Sequence, residues 1–146
     1  MNKQNNQEYL NHLRHSCAHL LAAAVVKLWP EAKPTIGPAI ENGFYYDFDD
    51  LKISEDDFGA IETKMYELVK NWKQFERREI DSNTAIQQYS NNVYKRELIE
   101  EFSSEGKQLT LFTSGDFTDL CRGGHCDHPN EELKYFKLLS VAGAYW

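Results

Sequence analysis

Apolar positions in the first thirty residues recur at helical spacing. Leu10, Leu13, Cys17, Leu20, Leu21, Ala24 and Leu28 share one side of a helix at about 100° per residue, so a long helix is expected from Glu8 to Trp29, stopped by Pro30. The period then changes. Pro34 to Ile40 and Gly43 to Phe48 read as two strands around the turn Glu41-Asn42. Ser54 is placed to cap a second helix, with Asp56 and Asp57 in its first turn, where the helix dipole favours acids. Phe58, Ile61, Met65, Leu68 and Trp72 give that helix a core face. Phe75 to Ile80 alternates like a strand, and Ser82 to Ser90 and Tyr94 to Phe102 read as shorter helices. Leu109 to Thr113 is a strand ending in a turn at Ser114-Gly115, and Asp116 to Asn130 reads as an irregular loop. Tyr135 to Tyr145 is expected to close the chain as a strand or hairpin. This mixed order predicts a single α+β domain, its largely antiparallel sheet packed by the long N-terminal helix and the shorter ones.

A chain of 146 residues, 41% of them hydrophobic, suits one domain with one core. Mean hydropathy is −0.64, and no apolar run nears the roughly 20 residues of a membrane span. The start lacks the apolar stretch of a signal peptide, so no membrane partner and a cytoplasmic location are expected. Residues 1–7 have nothing to bury and read as a disordered tail before a domain at 8–146. Net charge is −7. A domain that holds a nucleic-acid backbone unaided is usually basic, so this one is expected at most to accept a short single-stranded end delivered by other domains. Lys70, Lys73, Arg77, Arg78, Lys134 and Lys137 read as solvated faces.

Candidate chemistry sits at the two ends of the chain. His12, His15 and His19 form a stripe on the first helix, opposite its apolar face and looking away from the core; a solvated helix face carrying histidines is the plain alternative. His15 and His19 are one turn apart and can reach one point. In Asp119-Leu120-Cys121-Arg122-Gly123-Gly124-His125, Cys121 and His125 are again four apart, and the two glycines allow a turn that joins sulfur to imidazole. His15, His19, Cys121 and His125 make either a tetrahedral zinc set or a polar site for hydrolysis. Cys126 and His128 lie just beyond; a local knuckle with Cys121 and His125 is awkward, because His125 and Cys126 are adjacent. Cys17 falls on the apolar side of its helix and reads as a buried small hydrophobe. Three cysteines do not suggest a disulfide framework.

These stretches resemble a known family. His15-Ser16-Cys17-Ala18-His19 looks like the HxxxH helix of the editing modules (second additional domains) of threonyl- and alanyl-tRNA synthetases. Ile36-Gly37-Pro38-Ala39-Ile40-Glu41-Asn42-Gly43-Phe44-Tyr45-Tyr46-Asp47-Phe48 resembles the threonyl branch. Cys121 to His125 matches its CxxxH loop, and Phe136 to Trp146 resembles its closing segment. The family commonly has proline where Gly124 stands, and Cys126 is outside its usual pattern. The resemblance implies hydrolysis of serine wrongly joined to threonine tRNA. It implies the 3′ end of that aminoacylated tRNA and the remaining synthetase domains as partners, and the synthetic and anticodon-binding domains are not in this chain. Lys95 and His15 are implied as catalytic, with Lys95 activating or orienting the water and His15 assisting at the terminal ribose. His19, Cys121, His125, Asp119 and Tyr46 are implied as pocket residues. Without the resemblance, Lys95 reads as an exposed lysine, Tyr46 as a strand residue and Asp119 as a turn residue. No cofactor is expected to be required, although zinc at His15, His19, Cys121 and His125 stays open. Alanyl-type or free-standing editing and a non-catalytic tRNA-end or zinc-binding module are the alternative readings. Serine is threonine minus a methyl, and a difference that small is worth only about 1–3 kcal/mol in binding, which is why a second, hydrolytic sieve is needed.

Overall fold

The computed structural model describes residues 3–49 and 51–141. The chain begins with helix α1, Lys3–Leu28. It starts five residues earlier than the pattern at Glu8 suggests, and residues 3–7, expected as a disordered lead-in, carry helical backbone. Lys3, Gln4 and Gln7 are good helix formers, and extending an existing helix is cheap once its nucleus is formed. Residues 16–20 and 22–25 of α1 are buried, so the helix runs through the middle of the molecule rather than over its surface.

The expected two-stranded hairpin is present but broken. Its ends are β1 (Lys33–Pro34) paired with β4 (Phe48–Asp49), and its tip is β2 (Ala39–Ile40) paired with β3 (Gly43–Phe44), all antiparallel. Pro34 and Pro38 have no N–H to give to a ladder, which interrupts it. Two bonds bridge the gap: Thr35 N–H donates to the Asp47 carbonyl (2.8 Å) and Asp47 N–H to the Ile36 carbonyl (2.9 Å).

Ser54 opens a single 3-10 turn (Glu55–Asp57) with a capping box shared with Asp57, and helix α2 (Phe58–Val69) continues from it. Ile61, Met65, Val69 and Trp72 are buried against Cys17, Leu20 and Ala24 of α1, with Phe58 and Leu68 at the margin. Strand β5 (Glu76–Ile80) follows, then helices α3 (Ser82–Gln88) and α4 (Val93–Ser104). Strand β6 (Leu109–Ser114) pairs on one side with β5 and on the other with β7 (Phe117–Leu120), forming an antiparallel sheet in the order β5-β6-β7. Ile80, Ile99, Leu109, Leu111 and Leu120 make a second core beneath this sheet.

Two expectations change here. Part of the supposed loop from Asp116 to Asn130 is strand β7, and Pro129–Glu132 forms a one-turn helix, α5. The loop-like composition of this stretch hides a strand whose partner is only three to nine residues back in the chain, Leu111↔Leu120 to Ser114↔Phe117. Residues 134–141 carry no regular secondary structure, so the described part of the expected closing strand is absent; its remainder lies outside the described residues. Phe136 and Leu138 still pack on the core, and Leu138 N–H donates to Glu62 (3.0 Å). The lysines and arginines read as solvated are exposed.

Candidate functional site

The middle of α1, the broken hairpin, α4 and the end of β7 with the loop after it line a cavity of about 630 Å³. Each wall is built by local chemistry. Ala18 and Ala22 of α1 are fully buried, and their small side chains let the Tyr46 ring lie against the helix. On the ring's other side Gly37 is in such close contact that a Cβ there would fall 2.1 Å from Tyr46 Cδ2. Asn92 caps α4, its side-chain oxygen accepting from Lys95 N–H (3.2 Å), and its amide donates to the Pro34 carbonyl (2.7 Å). One residue thus fixes both the start of α4 and its distance from the hairpin, and so sets where Lys95 projects.

Lys95 is buried, 2% exposed, contrary to its plain reading as a surface lysine. Its Nζ lies 2.9 Å from Asp119 Oδ1 and 3.2 Å from the Tyr46 hydroxyl. Asp119, on β7, is also buried and accepts from three further donors: the Tyr46 hydroxyl, the Leu120 amide (2.9 Å) and His19 Nδ1 (3.2 Å). Burial alone would raise the Asp119 pKa, but the Lys95 ammonium and the hydrogen bonds from His19 and Tyr46 outweigh it and hold the carboxyl well below its usual range. Burial, reinforced by Asp119, pushes the Tyr46 phenol well above its ordinary value, so it stays a donor. A fully buried ion pair of this kind costs desolvation and is poor evidence for stability. Its cost suggests function instead.

The histidines do not look away from the core. His19 is 4% exposed and His15 is half-buried, both facing the cavity. Helical spacing identified the stripe correctly, but α1 is covered on more than one side, so the face opposite its main apolar contact is inside as well. His15 Nδ1 contacts the Gly124 carbonyl (3.1 Å), and His15 Nε2 and His19 Nε2 are 3.1 Å apart. Gly123 and Gly124 hold φ of +100° and +89°, a region that residues with a Cβ rarely enter, and this double turn aims the Gly124 carbonyl back at α1. It also brings His125 over His15, with stacked ring centroids 4.5 Å apart, while Phe75 stacks on the other face of His125 at 4.1 Å. Cys121 Sγ meets His125 Nε2 at 3.5 Å.

Burial, followed by the neighbouring His19, lowers the pKa of His15 to about 4, and burial with the same neighbour lowers His125 to about 2. Desolvation raises the Cys121 thiol to about 12. At neutral pH His15 and His125 are therefore uncharged and Cys121 is a thiol.

Lys95, His15, His19, Cys121, Asp119 and Tyr46 line one cavity, and His125 packs beside it against His15 and His19. The donor atoms of His15, His19, Cys121 and His125 lie within 4.8 Å of one another. Tetrahedral zinc with N and S ligands separates them by roughly 3.3–3.8 Å, so this set fits the metal after small shifts. Cys126 and His128 take no part. Cys126 is buried in the α1–α2 core, its N–H donating to Ser16 Oγ (3.0 Å), and His128 is exposed at the start of α5. Cys17 is buried in that core too. Sequence reasoning missed Ser16, Asn92 and Phe75. Asn92 carried a signal, since Asn three residues before Lys95 is a helix-cap pattern; Ser16 and Phe75 act through long-range contacts with no local mark.

Among the described residues no helix is long and apolar enough to cross a membrane. No protein-family profile matches the chain. Curated relatives do. Threonine–tRNA ligases of Staphylococcus aureus strains JH9 and Newman are each 48% identical to it over 142 residues, or 97% of this chain and 22% of theirs. The chain therefore spans about a fifth of the length of these relatives, and it is a homologue of that segment of the threonine–tRNA ligases.

Proposed function

We propose that this domain edits: it hydrolyses the ester joining serine to threonine tRNA, by water attack on the aminoacyl carbonyl. The buried Lys95–Asp119 pair opening onto a cavity lined by His15, His19 and Cys121 is the observation that carries this reading. Water attack needs a positioned water and donors aimed at the developing oxyanion. Paired with Asp119, Lys95 serves as a fixed donor that orients the water and stabilises negative charge on the carbonyl oxygen. Asp119 and Tyr46 hold it there. His15 assists by keeping the ester end against that water, and His19, Cys121 and His125 shape the pocket for a small side chain. The partners are the 3′ end of aminoacylated threonine tRNA and the other synthetase domains, in the cytoplasm. Homology to threonine–tRNA ligases supports this choice over alanine tRNA.

We take the reaction to need no cofactor, because four protein ligands would close a tetrahedral zinc and leave it no open position. If bound, zinc would be held by His15, His19, Cys121 and His125 as a closed centre that fixes the four side chains. Exhaustive chelation is expected to leave ester hydrolysis at its starting rate; loss of activity restored by zinc would overturn this. Lys95→Ala is expected to slow hydrolysis of seryl-tRNA by about 100-fold or more, the scale of one lost oxyanion donor. A variant that works at the parental rate would remove Lys95 from the mechanism. Seryl groups on threonine tRNA and on alanine tRNA, offered side by side, decide the substrate: equal loss from both would refute the threonyl assignment.

A further inference from the structure

Arg122 lies in the loop between Cys121 and His125 and has no part in the chemistry proposed above. It is exposed, lines the cavity, and holds its guanidinium carbon 5.5 Å from the centre of the Phe102 ring. Lys107 approaches the same ring, with Nζ 5.6 Å from its centre, and is balanced by the Glu105 carboxylate. Arg122 has no such balance: among the described residues no carboxylate pairs with it. Of the other charged side chains lining the cavity, Lys95 and Asp119 neutralise one another, and Glu41, at the hairpin tip, makes no ion pair with Arg122. In a chain of net charge −7, a guanidinium held on an aromatic ring with no acid beside it is placed to meet an anion from outside. Its position says which anion. Lys95, Leu98 and Phe102 follow one face of α4, and all line the cavity. Burial falls along that face: Lys95 is 2% exposed, Leu98 and Phe102 are half-buried, and Arg122 beside Phe102 is exposed. Lys95 thus marks the floor and Arg122 the mouth. From Lys95 to Phe102 the helix rises about 10 Å. The bonds from an aminoacyl ester through its ribose to the 5′-phosphate span a similar length.

We infer that Arg122 binds the phosphate on the 5′ side of the terminal adenosine of the tRNA, so that the cavity takes a nucleotide in preference to a free nucleoside. This rests on reading the cavity as an aminoacyl-tRNA ester site. The guanidinium edge offers a fork of N–H donors that matches two phosphate oxygens, while its face stays on Phe102. The stacking sets the plane of the fork before the ligand arrives, which lowers the ordering cost of the contact. With the phosphate held at the mouth and the ester at Lys95, the ribose is fixed at both ends. The charge is exposed, so salt screens this contact. A single cation at the mouth of an acidic domain holds one phosphate and leaves the rest of the strand to other domains.

The test titrates the chain with adenosine, adenosine 5′-methyl phosphate and dimethyl phosphate, followed by NMR through the backbone amides of residues 121–125. None of these ligands carries an aminoacyl group, so no reading depends on turnover. The nucleotide is expected to bind tighter than adenosine by about fivefold, the scale of one net hydrogen-bonded contact. That margin should disappear in Arg122→Gln, with adenosine affinity kept as the sign that the loop is intact. It should also shrink in the parental chain as salt is raised from about 50 to 300 mM. The salt series needs no variant and decides even where Arg122→Gln disturbs the loop. Equal affinity for adenosine and the nucleotide, a margin that survives Arg122→Gln, or one indifferent to salt would each overturn the inference. So would dimethyl phosphate binding as tightly as the nucleotide, or no binding of either nucleoside ligand. The hydrolase reading fails separately: seryl-tRNA left intact by a chain that shows the margin sinks that reading alone, and seryl-tRNA hydrolysed by a chain without the margin sinks the Arg122 contact alone.

Discussion

Asp119 carries one negative charge and meets Lys95, His19 and Tyr46, all of them buried. Replacing it by Asn leaves the Lys95 ammonium buried without a counter-charge. Such a loss costs about 3–5 kcal/mol, so Asp119→Asn should shift urea unfolding by that amount. Adding Lys95→Met removes the stranded charge while keeping the volume, and the double variant should recover much of the stability. A double variant less stable than Asp119→Asn alone would contradict the ion-pair account. The histidines give a second test. His15 and His125 have pKa values lowered from 6.5 in the folded state, to about 4 and about 2. The unfolded chain therefore binds more protons once pH falls below about 6.5, and stability must drop as pH falls from there toward 4. Each group contributes at most about 1.4 kcal/mol per pH unit. Urea midpoints at pH 7.5 and 5 should show the fall, and His125→Asn should flatten it. Asp119 adds its own loss only below its unfolded value, near pH 4. The histidines and Cys121 were visible in the sequence as i,i+4 pairs, because that spacing is local. Lys95 was not: its position in α4 reads as surface, and it drew notice only through family resemblance. Its burial is set by Asn92, Tyr46 and Asp119, 3, 49 and 24 residues away in the chain.

At the scale of elements, the hairpin and α1 are fitted to each other through Tyr46. Gly37→Ala would drive a methyl into the Tyr46 ring, and overpacking of this kind costs about 1–3 kcal/mol. Because Tyr46 also steadies Lys95 and Asp119, the same change should slow ester hydrolysis; a Gly37→Ala variant with unchanged stability and rate would contradict the close fit. Ser54→Ala is the matching control. It removes a capping box far from the cavity and should cost about 1 kcal/mol in unfolding while leaving hydrolysis untouched. Helices α1 and α2 were legible because their core faces repeat over many turns. The hairpin was legible as strands but not as interrupted ones, although Pro34 and Pro38 carried that information. Strand β7 was hidden because Asp119 and the glycines after it look like loop residues; only pairing with β6 makes Phe117–Leu120 extended.

For the whole molecule, the net charge of −7 argues against a domain that grips a nucleic-acid backbone unaided. The structure agrees with a fold that encloses a small site. Its apolar walls come from the hairpin, and its polar floor comes from α1, α4 and β7. The most direct test is therefore made on the chain itself at high concentration, with threonine tRNA charged either with serine or with threonine, following loss of each amino acid against buffer alone. This account predicts that serine is released and threonine is retained. Threonine released as fast as serine, or both esters surviving as long as they do in buffer, would contradict it.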